Sequence, residues 1–260
     1  MDLIEIDAPH PGVRRLTFNR PDKLNALSSP LMDAFDAALD AAASDDAVRV
    51  LVLRGAGGRA FVAGADIAEY RGDRRAAFAA YQMNSRRVFD KLERLPKPVI
   101  CAVDGFALGG GFEIALCCDI LLVTEAARLG LPEGRLGLSP GGGGTQRLIR
   151  VVGRHAASDL MLAGWRMTGR RAYELGLAAE VLEGADALEA AVLQRARGCL
   201  KIAPLAQAEM KRLMREGHDA PSETAKSYEQ EVLFRLYSTA DGQEGIEAFL
   251  DKRDPRFEGR

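Results

Sequence analysis

Residues 104–120 read DGFALGGGFEIALCCDI, and no other stretch limits the possible folds of this chain as tightly. Three consecutive glycines, Gly109, Gly110 and Gly111, run straight into an apolar segment. Apart from two weakly acidic thiols, its one ionisable side chain is Glu113. The first turn of a helix leaves backbone N–H groups without intrahelical partners. With no side chains to shield them, those donors can approach an anionic oxygen closely, and the helix dipole adds positive potential. Phe112, Ile114, Ala115, Leu116, Cys117 and Cys118 make the segment apolar nearly all round, which predicts a buried helix. A lone carboxylate there costs several kcal/mol unless hydrogen bonds, the dipole or a chemical task offset its burial.

Composition narrows the partners. At 260 residues the chain is long enough for one large core or a domain with an appendage. Its 35 basic and 37 acidic residues leave a net charge of −2, so no global field favours nucleic acid. Cys101, Cys117, Cys118 and Cys199 lack C-x-x-C spacing and read as reduced thiols. The opening MDLIEID has no basic segment followed by an apolar one, which predicts a cytoplasmic protein. Residues 101–123 form the most apolar long window, but Asp104, Glu113 and Asp119 interrupt it, so no membrane span is expected. His10, His155 and His218 are scattered and H-E-x-x-H is absent, which argues against a metal site.

Short β-like runs alternate with helical ones. Residues 3–7 and 13–19 read as a strand pair turning at His10, Pro11 and Gly12. Ser29-Pro30 starts a helix whose apolar face runs over residues 31–43. A buried strand at 48–53, a helix at 76–95, and strands at 98–103 and 120–124 follow. This alternation predicts an α/β fold of repeated strand-strand-helix units sharing one core. Beyond about residue 198 the pattern is helical only, with segments at 204–215, 222–237 and 242–252. That tail is expected to cover the core or a neighbouring subunit, dividing the chain into a core at 1–198 and a helical region at 199–260.

A second acid, Glu133, lies 133 − 113 = 20 residues after the first, within GLPEGRLGLSPGGGGTQRL. That interval lets the chain finish a helix, lay down a strand and return. Two carboxylates so placed can hold one water and handle two protons, one as base and one as acid. Rival motifs in this segment fail on chemistry. Residues 137–141 spell G-x-S-x-G, but the nucleophile elbow needs the N–H of the residue after serine, and Pro140 has none. Gly141 to Gly144 suggest a phosphate cradle, yet no Lys-Ser/Thr pair follows. These glycines are instead expected to open a helix at Thr145 and bring backbone near a water site, with Gly141 nearest.

Together FVAGADI at 61–67, PVICAVDGFALGGGFEIALCCDI at 98–120 and LGLPEGRLGLSPGGGGTQRL at 129–148 resemble the enoyl-CoA hydratase/isomerase, or crotonase, family. The likeness extends from RPDKLNAL at 20–27 to DKRDPRF at 251–257. It implies a crotonase-like α/β fold with a C-terminal helical region used in trimerisation, often as a dimer of trimers, hence a homotrimer or homohexamer. It also implies an acyl-CoA thioester as substrate, with coenzyme A as part of that substrate and no separate cofactor. Ala65 and Gly110 match the two backbone donors of the family's oxyanion hole. Glu113 and Glu133 match its two catalytic glutamates, the first activating water at C3 and the second delivering a proton to C2.

Isomerase members of the family usually keep the second acid alone, so having both points to an enoyl-CoA hydratase, with a Δ3,Δ2-enoyl-CoA isomerase as the alternative. A non-catalytic, RNA-binding relative is a further alternative, against which the near-neutral charge speaks. Ala63, Asp66 and Ile67 match the loop along the CoA adenine and pantetheine. Lys23, Leu24 and, from a neighbouring subunit, Lys252 match positions that can touch CoA. Two departures stand out: Leu131 where hydratases often have glutamine, and Phe112 in place of a smaller residue, which is expected to reshape the acyl pocket. Trp165 and Met167 read as core or interface residues rather than ligand contacts.

Overall fold

The computed structural model describes residues 2–72 and 74–260. Strands β1 (Ile4–His10) and β2 (Val13–Phe18) form an antiparallel pair, followed by helix α1 (Ser29–Ser44). Three strand-strand-helix units come next: β3 (Val50–Gly55), β4 (Ala60–Val62) and α2 (Arg75–Arg94); β5 (Val99–Val103), β6 (Phe106–Leu108) and α3 (Gly110–Leu116); and β7 (Ile120–Thr124), β8 (Arg128–Gly130) and α4 (Gly144–Leu162). The first strand of every unit joins a large sheet of order β1-β2-β3-β5-β7-β10, and the second joins a small sheet of order β4-β6-β8-β9. β9 (Met167–Thr168), α5 (Gly169–Glu174), β10 (Glu180–Leu182) and α6 (Ala185–Leu200) close the layered part. Within the units, neighbouring strands of each sheet run parallel.

The continuous apolar runs of β3 and β5 follow from this arrangement, because parallel strands covered on both faces have no polar side to show. Successive side chains point to opposite faces. Leu51, Leu53, Val99, Cys101 and Val103 therefore enter the main core with α1 and α2. Val50, Val52, Ile100 and Ala102 enter a second core under Leu188, Ala191, Val192 and Ala196 of α6. Phe18, Phe35 and Phe61 meet in the main core, Phe18 lying 4.9 Å and 5.5 Å from its two partners, ring centre to ring centre. Each such ring removed from water contributes about 1.5–3 kcal/mol.

Helices α7 (Pro204–Gly217), α8 (Ser222–Tyr237) and α9 (Ala240–Leu250) follow, and no strand is present among the residues after α6. One ion pair between buried Lys211 and a partly exposed Asp119 seats this tail on the core. Lys211 Nζ of α7 donates to Asp119 Oδ2 at 2.7 Å and to the Lys97 carbonyl at 3.2 Å, while the same Asp119 oxygen accepts the Val99 N–H at 2.8 Å. Leu233, Phe234, Tyr237, Ile246, Phe249 and Leu250 of α8 and α9 remain exposed on the single chain. Among the described residues no helix is long and apolar enough to cross a membrane.

Candidate active site

Strands β4, β6 and β8 of the small sheet each end in a segment that enters one cavity of about 520 Å³. After β4 comes Ala63 to Ile67. A parallel bridge fixes this loop: Leu27 donates its N–H to the Gly64 carbonyl at 2.8 Å and accepts the Asp66 N–H at 2.8 Å. Since residues 64 and 66 turn toward Leu27, the amide of Ala65 turns the other way. It finds no protein acceptor among the described residues, and Ala65 lines the cavity. The RPDKLNAL segment holds the bridge in place. Leu24 and Asn25 adopt positive φ, and buried Asn25 donates to the carbonyls of Ala56 and Ala60 at 3.0 and 2.8 Å. The Leu24 carbonyl accepts the Ala63 N–H at 3.0 Å, and Arg20 pairs with Asp66 at 3.0 Å.

After β6 the chain turns at Gly109, whose φ of +52° and ψ of −127° suit glycine alone. A Cβ there would also lie 3.2 Å from Glu133 Oε1. Gly110 is the first residue of α3, so its N–H has no partner within the helix, and it borders the cavity. One turn on stands Glu113, 4% exposed, with Oε1 accepting two backbone N–H groups at 2.8 Å each, from Gly142 and Gly144. No protein donor among the described residues reaches its Oε2. After β8, Glu133 opens a 3-10 turn (Glu133–Leu136) and is half-buried, with an Oε2 that is shielded from solvent and unpaired among the described residues.

Both acids are shifted upward by burial, but their hydrogen-bond surroundings differ. Burial raises the proton affinity of Glu113, but the Gly144 and Gly142 amides and the charge of Arg147 pull it back toward the ionised form. Glu133 is pushed up to about 7 by burial and by the nearby charge of Glu113, opposed by its own N–H. One carboxylate is thus supplied with donors and the other is starved of them, the pattern that separates a base from an acid. Over them runs a stripe of α2 with helical spacing: Phe78, Tyr81, Gln82, Ser85 and Phe89. Tyr81 donates to the Leu27 carbonyl at 3.0 Å, and Gln82 donates to the Tyr70 hydroxyl at 3.1 Å.

Of the residues singled out from sequence, Ala63, Ala65, Ile67, Gly110, Glu113, Glu133 and Gly141 border this cavity. Lys23, Leu24, Asp66 and Lys252 do not border it within the single chain. Asp66 caps the 3-10 turn Ile67–Tyr70 through the Ala68 N–H, and Lys252 follows α9 with a φ of +56°. Phe112 is not a pocket residue: its ring is fully buried in the main core, because the helix turns that face away from Glu113. Met167 is buried, whereas Trp165 is 63% exposed and so is not a core residue of this chain. The amides that reach Glu113 belong to Gly142 and Gly144, not Gly141; the four-glycine run was the available sign of them. Among the described residues no cluster of three or more potential metal ligands occurs.

Successive strand-strand-helix units that carry loops from one sheet into a shared pocket define an α/β architecture of crotonase type. The solved structure of an enoyl-CoA hydratase from Bacillus anthracis superimposes with a TM-score of 0.96 at 34% identity, covering 100% of both chains. In sequence, residues 9–260 match the family described as enoyl-CoA hydratase/isomerase. Similar proteins include 2,3-dehydroadipyl-CoA hydratase of Escherichia coli (strain K12), 41% identical over 94% of each chain. Short-chain-enoyl-CoA hydratase of Clostridium acetobutylicum is 38% identical over 92% of this chain and 91% of its own. The chain belongs to the enoyl-CoA hydratase/isomerase family.

Proposed function

We propose that this protein adds water reversibly across the double bond of a 2-enoyl-CoA thioester to give a 3-hydroxyacyl-CoA. The observation that carries the reading is the pair of acids, one supplied with donors and one not, on a cavity that is also bordered by Ala65 and Gly110, whose amides have no acceptor among the described residues. Glu113, supplied with donors, acts as the base: it takes a proton from water as the water oxygen bonds to C3. Electron density moves through the double bond to the thioester oxygen, and the N–H groups of Ala65 and Gly110 stabilise the charge developing there. Glu133, protonated up to about 7, gives its proton to C2. The cycle leaves the proton on Glu113, and exchange through solvent returns the pair to its starting state. Every step is a proton transfer or an addition, so no cofactor beyond the CoA of the substrate is called for.

The CoA portion is assigned to Ala63, Asp66, Ile67, Lys23 and Leu24, with Lys252 reaching from a neighbouring copy. The exposed apolar residues of α8 and α9 support a C-terminal trimerisation region and a homotrimer or dimer of trimers. The cytoplasm is the compartment in which we place the enzyme. A panel of enoyl-CoA thioesters, followed by loss of absorbance of the conjugated double bond, tests the activity. It includes a short unsubstituted chain and a carboxyl-terminated one, after the names of the two relatives. Hydration is expected to rise as Glu113 ionises and to fall above about pH 7 as Glu133 loses its proton. Glu113→Gln is expected to lose hydration by about 10²–10⁴-fold. Retention of double-bond migration with no hydration in the unaltered protein would instead establish an isomerase.

A further inference from the structure

Arg147 lies in the first turn of α4, at the third position of TQRL, and takes no part in the steps above. An arginine in an amphipathic helix is ordinarily solvated, but this side chain is only 14% exposed. Its Nε and one terminal nitrogen each bond a different oxygen of Glu93 at 2.9 Å, and that nitrogen also reaches Asp90 at 2.9 Å. The other terminal nitrogen donates to the Gly142 carbonyl at 2.6 Å. Gly142 is the residue whose N–H binds Glu113 Oε1. Two residues further on, Gly144 supplies the second N–H. A chain of contacts thus runs from α2, through a planar fork, to a glycine loop and then to the carboxylate.

We propose that Arg147 is a positioning residue for Glu113: held by Glu93 and Asp90, it fixes the Gly142–Gly144 loop so that both amides bind Oε1 and Oε2 stays free for water. A glycine loop has no side chains to stiffen it, and each glycine carries more conformational freedom than any other residue. The guanidinium supplies the rigidity. Its donors lie in one plane and meet two oxygens of Glu93 on one side and a carbonyl on the other, which a lysine ammonium cannot do. Its charge also acts on Glu113. The other titratable groups around that carboxylate are Glu133 from the 3-10 turn, Tyr70 from the preceding one, and Cys117 on its own helix. Burial keeps Tyr70 and Cys117 neutral through the working range. Burial raises the proton affinity of Glu113, the Gly144 and Gly142 amides oppose that rise, and among the described residues Arg147 is the cation whose charge adds to them.

The inference rests on the hydratase reading, in which Glu113 acts as the base. The test compares Arg147→Gln, Arg147→Lys and the unaltered protein by kcat and KM across pH, with melting temperatures alongside. A second readout, independent of turnover, is a carboxylate infrared titration of the resting proteins, with Glu113→Gln used to assign the band. Arg147→Gln is expected to lower kcat about 10–100-fold, the loss that follows a small misplacement of a reacting group, with KM changed little. Its acid limb and its Glu113 band should both move to higher pH. Arg147→Lys should keep the limb in place, since the charge remains, while kcat falls because the fork is gone. A folded Arg147→Gln with unaltered kcat and limb, or with losses confined to KM or melting temperature, overturns the assignment. Should that variant not fold, Arg147→Lys with full kcat overturns it equally. Failure of the unaltered protein to hydrate any thioester would reject the hydratase reading itself, and the infrared band then reports on Arg147 separately.

Discussion

Glu133→Gln should stabilise the protein while removing its activity, and the gain should depend on pH. In the folded chain the side chain holds its proton up to about pH 7, against an ordinary value of 4.5. Below 4.5 folded and unfolded chains are both protonated and the group contributes nothing to the pH dependence. As pH rises from 4.5 to 7 the unfolded chain ionises while the folded chain resists, so stability drains away across that window and the loss is complete above it. At about 1.4 kcal/mol per tenfold change in proton affinity, the gap between 4.5 and 7 sets a ceiling of roughly 3 kcal/mol. Glu133 is only half-buried, so solvent screening reduces this to about 1–2 kcal/mol. Glutamine cannot ionise and escapes the penalty. At about 2–4 °C per kcal/mol for a chain of this size, melting temperature should rise by several degrees at pH 8 and by much less at pH 5. Paired thermal melts at fixed protein concentration measure the difference, and hydration assays on the same samples should show a loss of about 10²–10⁴-fold. A melting-temperature difference that is the same at pH 5 and pH 8 would refute the reasoning.

Gly142→Ala places a Cβ 2.5 Å from the Phe89 ring and 2.8 Å from Glu113 Oε2, so the loop must shift. A kcat fall of about 100-fold in the hydration assay is expected, with the fold intact by circular dichroism. Lys211→Met removes the cation from a partly exposed Asp119, and chemical denaturation should register a cost of about 1–3 kcal/mol. Adding Asp119→Asn should return part of that cost, and a double variant no more stable than the single one would contradict the pairing.

How far the fold could be read from sequence depended on element length. Residues 120–124 are an apolar run bounded by Asp119 and Glu125, and β7 occupies those residues. The Ser29-Pro30 start and the 222–237 segment likewise correspond to the ends of α1 and α8. β4 and β6 are three residues each, AFV and FAL, too short to show a period, so the small sheet has no signature of its own. The turn at His10 is displaced as well, since β1 extends to His10 across a register shift after Asp7. In the cavity, Glu113 and Glu133 were visible as acids in apolar or glycine-rich settings. Arg147 was not: its two acidic partners, Asp90 and Glu93 of α2, lie more than fifty residues before it in sequence, and each of the three charges alone reads as surface.

The small sheet delivers its loops in order: Ala65 after β4, Gly110 and Glu113 after β6, Glu133 after β8. The chemical parts of the pocket therefore arrive on three rungs of one ladder, Gly110 and Glu113 sharing the middle rung. Replacing what one rung carries leaves the others seated, because strand pairing, not the pocket, sets their height. Such a scaffold permits the contents of one rung to be edited while the other two stay in place.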